Sequence, residues 1–160
     1  MIKAVEYDGP PLELILARNL IAAITTPAFI VDPDGVMTFF NDAAGELMGR
    51  RFEETGRLTR EEWNEIGPVD DDGRPVWRGD VPMRVTLHEG RPKFGRFCIR
   101  TDQDAVIEVQ ASALPLVGRG AFRGALVTFV AVDAEDRRDA DARASGTPGV
   151  LAHSTAAQER

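Results

Sequence analysis

The chain is 160 residues long and 43% hydrophobic, which suits one domain with a single buried core. Its formal net charge is -7, and no basic run or stripe interrupts the mixed charges, so we expect no nucleic-acid partner. No window approaches the roughly 18 uncharged apolar residues of a membrane span. The single cysteine cannot form an internal disulfide, and the first residues lack a secretory leader, which together indicate a cytoplasmic location.

A helix is predicted over residues 11–24, PLELILARNLIAAI. Prolines at positions 10, 11 and 27 suit its two ends, because the first turn of a helix needs no amide donor and the residue before a proline disfavours the helical region. Spacings of three and four place a largely apolar stripe along one side of the helix: Leu12, Ile15, Leu16, Asn19, Leu20, Ala23 and Ile24.

A β-hairpin is predicted next, because AFIVDPDGVMTFF contains two β-rich runs around a turn from Asp32 to Gly35. Asn41 follows the second run and can cap a helix over DAAGELM, which Gly49 can end. The pattern is then irregular up to Pro92, with helical turns predicted in LTREEWNEI and DVPMRVTLHEG and a turn at DDDGRP between them.

Three antiparallel strands are predicted in the last third, where FGRFCIRT, AVIEVQASALPLV and FRGALVTFVAV alternate in polarity and are rich in β-branched and aromatic residues. Their short connections, TDQD and GRGA, make them neighbours in one sheet. The order of elements predicts an α+β fold with one antiparallel sheet and helices gathered on one face.

We therefore divide the chain into an N-terminal helix or cap at 1–25, a domain at 26–133 and a tail at 134–160. The tail is expected to be disordered because it has almost no large apolar residue to anchor it. It leaves no room for a kinase, cyclase or DNA-binding effector, so any output is expected to run through a partner or through association.

Three segments resemble parts of a PAS domain. FIVDPDGVMTFFNDAAGELMG resembles the PAS opening, with its strand, Asp-Gly turn, strand, Asn and Ala-Ala helix. IEVQASALPLVGRGAFRGALVTFVAVD resembles the closing PAS hairpin, and DDGRPVWRGDVPMRVTLHEGRP is similar to the connector of many bacterial PAS sensors. The resemblance covers residues 19–133 and implies a five-stranded antiparallel sheet with short helices on one face, an N-terminal amphipathic helix, and a sensory or regulatory role.

The resemblance also implies a ligand pocket between the concave sheet face and the short helices. Alternation places three groups of residues on one sheet face: Phe97 and Ile99; Ile107, Val109 and Ala111; and Ala125, Val127 and Phe129. With the family layout, the pocket candidates are Trp63, Val85, Phe97, Ile99, Val109 and Phe129, and further helix candidates are Val81 and Leu87. The same alternation fits a filled core, and it names no ligand or cofactor.

The other candidate residues are better explained by structural roles than by ligand binding. Some PAS domains bind haem through a histidine on the helix before the third strand, but His88 sits in the last turn of that helix, where it suits the helix dipole. Flavin-binding LOV members need an Asn-Cys-Arg-Phe motif, which GRRFEETGRLTREEW lacks, and Cys98 reads as a small thiol on the face opposite Phe97. The run from Asp70 to Gly73 fails the calcium-loop spacing and reads as a solvated turn. His153 in the tail has no expected role.

We expect a sensory module that binds a small ligand or a protein signalling partner and forms a homodimer through Leu12, Leu16, Leu20 and Ala23. The alternative for that stripe is packing against the chain's own sheet. The alternative functions are a ligand-free interaction adaptor and, less favoured, a small enzyme or haem-binding sensor. No catalytic residue and no metal ligand are predicted, because Gly-x-Ser-x-Gly, His-Glu-x-x-His and Cys-x-x-Cys are absent from the sequence.

Overall fold

The computed structural model describes residues 9–76 and 81–133 and four positions beyond them, 135, 138, 142 and 143. The helices are α1 (Leu12–Ala22), α2 (Asp42–Met48), α3 (Phe52–Thr55), α4 (Arg60–Asn64) and α5 (Pro82–Glu89). The strands are β1 (Ala28–Val31), β2 (Met37–Phe40), β3 (Lys93–Arg100), β4 (Val106–Gly118) and β5 (Ala121–Ala131). The sequence predicts a disordered tail and no role for His153. Apart from those four positions, both predictions concern residues that the structure does not describe.

The five strands form one antiparallel sheet in the order β2-β1-β5-β4-β3. β5 is the central strand, because it pairs with β1 on one side and with β4 on the other. The predicted α+β fold, the first hairpin and the three consecutive strands at the end of the chain are confirmed.

One face of the sheet packs against the short helices. Cross-strand pairs place Phe97 opposite Val109, and Ala111 opposite Phe129, so the predicted face-sharing is confirmed. This inner face joins α2, α4 and α5 in the larger core cluster, with buried contributions from Ala44, Trp63 and Met83.

The opposite, outer face of the sheet is covered by α1. Ala17 and Ile21 of the helix pack in a second cluster. The sheet residues of this cluster alternate along their strands with those of the inner face: Ala28, Ile30, Phe39 and Leu126. The short helices therefore lie on one face as predicted, while the N-terminal helix covers the other.

Asn41 joins three elements through its buried side chain. Its Oδ1 accepts hydrogen bonds from the Ala28 and Ala44 amides, both at 3.0 Å, so it caps α2 and holds the start of β1. Its Nδ2 donates to three carbonyls between α1 and β1, those of Ile21, Ile24 and Thr26, at 2.9, 3.3 and 2.8 Å. The predicted cap is confirmed, and the same side chain also fixes the end of α1 to the sheet.

Candidate ligand cavity and association surface

An apolar cavity of about 50 Å³ lies between the inner sheet face and the short helices. Among the described residues, its wall carries no titratable side chain: Phe29, Met37, Met48, Trp63, Ile66, Gly67, Pro68, Val81, Met83, Phe97, Ile99, Val127 and Phe129. Pockets for drug-sized ligands measure about 300–1,000 Å³. The space therefore fits a molecule of a few heavy atoms.

Four of the six pocket candidates line this cavity: Trp63, Phe97, Ile99 and Phe129. Val109 is buried on the inner face but does not line the cavity. Its larger cross-strand neighbour, Phe97, lines the cavity instead. Val85 is also buried and outside the wall. Of the further helix candidates, Val81 lines the cavity. Leu87 lines a separate surface cleft between α4 and α5, which we call the outer cleft.

The orientation of α5 explains why Val85 misses the cavity. Thr86 Oγ1 donates to the Ala113 carbonyl at 3.2 Å, and Pro82 lies so close to Gly95 that a Cβ there would stand 3.1 Å from the proline Cγ. These contacts turn the Pro82 and Thr86 side of α5 toward β3 and β4. Met83 is the α5 side chain that lines the cavity.

Three methionines in the cavity wall were not among the candidates. Met37, Met48 and Met83 come from β2, α2 and α5, and each is buried. Methionine fills irregular gaps because its unbranched side chain has several rotatable bonds. Three buried methionines on separate elements are the sequence signal that could have indicated this wall.

The remaining sequence candidates lie away from the cavity. His88 is exposed in the last turn of α5 and lines the outer cleft, as its late position predicted. Cys98 is half-buried and pairs across the sheet with Glu108, on the face opposite Phe97. Asp70 Oδ1 accepts from the Asp72 and Arg74 amides, so this run is the predicted turn. Within residues 9–76, 81–133 and the four later positions, no three His, Cys, Asp or Glu side chains cluster as metal ligands.

The second candidate surface is the leucine stripe of α1, which we define as Leu12, Leu16 and Leu20. These side chains are 62%, 58% and 63% exposed, and Ala23 is exposed as well. They lie on the side of α1 opposite Ala17 and Ile21, which face the sheet. The alternative of stripe packing on the chain's own sheet is therefore wrong for these leucines.

The part of the outer sheet face that α1 leaves open also carries exposed apolar side chains, set among polar ones. Phe94, Leu114 and Val130 are exposed there, on β3, β4 and β5 respectively. Register places them on one face, because Phe94 pairs with Ser112, Leu114 with Leu126, and Val130 with Gln110. The leucine stripe and these residues thus belong to the same side of the molecule.

In the portion of the chain that the structure describes, no helix has both the length and the apolar character needed to cross a membrane.

Comparison with known proteins identifies relatives of this fold. A family model described as PAS fold matches residues 16–131. A search of curated proteins gives no significant match.

Solved structures with a similar fold include two PAS domains and a LOV protein. The PAS domain of BvgS from Bordetella pertussis has 18% identity and a TM-score of 0.54, with 83% of this chain and 99% of that chain covered. A PAS domain from Colwellia psychrerythraea has 13% identity and a TM-score of 0.55, with 74% and 96% covered. The Rhodobacter sphaeroides LOV protein has 13% identity and a TM-score of 0.61, with 81% and 73% covered. At these identities the likeness concerns the fold.

Proposed function

Because the chain belongs to the PAS-fold family, whose model spans residues 16–131, we propose that it is a sensory module that signals through association of its N-terminal helix with a second copy. The observation that carries this proposal is the exposed leucine stripe on a helix whose opposite side is already docked. The similar PAS domain of a two-component sensor histidine kinase supports the sensory role.

The geometry of α1 favours pairing with another helix. Leu12, Leu16 and Leu20 recur every four residues, which places them in one row along the helix. Two such rows can interdigitate, and each leucine that is removed from water contributes roughly 1 kcal/mol or more when over half of it was exposed. A second copy supplies an identical row, so the surface is self-complementary across a two-fold axis.

Substituting Leu16 by glutamate is expected to raise the dissociation constant of the homodimer about fiftyfold, because the two-fold axis places the change in both subunits. Sedimentation equilibrium over a range of concentrations measures this constant directly. Ala22→Glu is the matched control, since Ala22 is exposed on the same helix but outside the stripe. A monomeric parent protein, or equal weakening by both substitutions, would show that α1 does not form the interface.

We also propose that the interior cavity receives a small apolar ligand. Its wall combines aromatic rings with three methionines, which can change rotamer as a guest enters. The apolar wall also supports a binding role in preference to catalysis, because no acid, base or nucleophile of the described residues faces the space. We propose a cytoplasmic location because the sequence has one cysteine, which cannot form a disulfide within the chain.

Xenon under pressure is expected to shift the methyl NMR signals of Met37, Met48 and Met83, which line the cavity, and to leave the methyl signals of Leu114, on the outer face, as the reference. Val127→Ile adds one methyl group at the wall and is expected to reduce these shifts by about half or more. Val130→Ile is the control, because it adds the same methyl group on the exposed outer face, away from the cavity. Equal shifts at Leu114 and at the three methionines would contradict a site in this cavity.

A further inference from the structure

A cleft of about 380 Å³ opens to the surface on the far side of Trp63 from the interior cavity. It lies between the β1–β2 turn, α4 and α5, and is lined by Pro33, Gly35, Arg60, Trp63, Asn64, Met83, Arg84, Leu87 and His88. Trp63 and Met83 line both spaces, so these two side chains form the wall between them.

Among the described residues, the titratable side chains that line this cleft are all basic. Arg60, Arg84 and His88 line it, and no carboxylate of the described residues does, although the chain as a whole has a net charge of -7. Neither arginine has a carboxylate within ion-pair distance among those residues, whereas Arg51, Arg74, Arg91 and Arg100 each have one: Glu54, Asp72, Glu89 and Asp104.

The Arg60 side chain lies against the β1–β2 turn, next to Gly35. Its Nε lies 3.2 Å from the place where a Cβ on Gly35 would stand, and the Gly35 carbonyl accepts a hydrogen bond from Trp63 Nε1 at 2.8 Å. The nearby carboxylate of Glu62 is engaged elsewhere: the Thr59 backbone amide donates to it and lowers the pKa of Glu62. The guanidinium is therefore left to face the cleft.

A polar group of the cleft also lacks a partner. Asn64 Oδ1 is buried and accepts no hydrogen bond within the described part of the chain. A buried amide oxygen needs a hydrogen donor, which an ionised carboxylate lacks, so a bound water would have to donate to Asn64 Oδ1 beside such a guest.

From these features we propose that the cleft binds a small organic carboxylate. The forked guanidinium groups of Arg60 and Arg84 match the two oxygens of a carboxylate, and Met83 and Leu87 provide an apolar surface for the carbon chain.

A phosphate fits the cleft less well, because phosphate sites commonly use backbone amides at a helix start. Here Thr59 already caps α4 with its own side chain, and α5 begins at Pro82, which has no amide hydrogen. The site is separate from the leucine stripe and does not depend on dimer formation.

The site is tested by titrating the full chain with succinate at constant ionic strength, with chloride as the balancing anion. Trp77→Phe leaves Trp63 as the only tryptophan, and we expect a saturable change in its emission. Calorimetry on the unsubstituted chain provides a second readout that does not depend on that change.

Arg84→Gln is expected to weaken succinate binding about tenfold, through loss of a charge-assisted pair. Arg96→Gln removes the same charge from an exposed position on β3 outside the cleft and is expected to change affinity by less than about twofold. Absence of saturable binding by both readouts, or equal weakening by both variants, would overturn the proposal. Inorganic phosphate that binds as tightly as succinate would overturn the carboxylate assignment.

Discussion

Asn41→Ala is expected to lower the free energy of unfolding by about 4 kcal/mol, because the Asn41 side chain takes part in five hydrogen bonds and is 3% exposed. A capping residue alone contributes about 1 kcal/mol. Alanine would also leave the Ala28 amide and the carbonyls of Ile21 and Thr26 without their present partner. The cost of these unpaired groups is the larger part of the expected effect.

Urea unfolding followed by circular dichroism measures the change. Asn19→Ala is the matched control, because Asn19 is exposed on α1 and alanine is a better helix former, so its effect is expected to stay within about 0.5 kcal/mol of zero. A loss of less than about 1 kcal/mol for Asn41→Ala would show that the five bonds are not what holds these elements together.

The position of Asn41 gives this loss a functional meaning. Two of its acceptors, Ile21 and Ile24, lie at the end of α1, while one of its donors, Ala28, begins β1. We therefore expect a rearrangement of the sheet that moves β1 to displace the helix that carries the leucine stripe. Hydrogen exchange in α1 should accelerate in Asn41→Ala more than exchange in β4 and β5.

Elements with strong local signals could be predicted from the sequence. The Asn41 cap, the Gly49 end of α2 and the Asp-Pro-Asp-Gly turn each depend on residues within a few positions of one another. The alternation of the last three strands likewise gave the correct inner face, since side chains in a strand point to the two sides in turn.

The orientation of α1 could not be predicted in the same way, because this helix has two apolar sides. The larger residues, Leu12, Leu16 and Leu20, dominate any periodicity, yet the sheet contacts Ala17 and Ile21. A small residue at position 17 allows a close approach, and the Arg18 guanidinium lies 4.6 Å from the centre of the Phe39 ring beside it.

The cavity and the cleft depend on contacts that are distant in sequence. Met37, Met48 and Met83 meet only after the sheet has formed, and Arg60 and Arg84 line one cleft although they are far apart in the sequence. Periodicity assigns residues to a face, but the space left between faces depends on side-chain packing. For this reason the pocket candidates Val85 and Val109 are buried but do not line this cavity.

Gly124→Ala is the second substitution with a large expected effect, a loss of about 4 kcal/mol in the free energy of unfolding. Gly124 has a φ of +126°, and a Cβ there would stand 2.0 Å from the Val31 carbonyl oxygen. The clash is with backbone at the end of β1, which pairs with β5 at the next residue, Ala125. Relief requires β1 to move away from the central strand.

Gly120→Ala separates the two causes of this loss. Gly120 lies in the β4–β5 turn with a φ of +73°, but no atom lies within 4 Å of the place where its Cβ would stand. Its substitution therefore carries the backbone strain without the clash, and the expected loss is about 1 kcal/mol. Equal losses in thermal or urea unfolding would mean that the close approach of β1 to Gly124 is not what makes glycine necessary. A Gly124→Ala chain that fails to fold, beside a folded Gly120→Ala chain, would agree with the clash. In the signalling role that we propose, this contact would connect β5 to β1, whose first residue, Ala28, is bonded to Asn41.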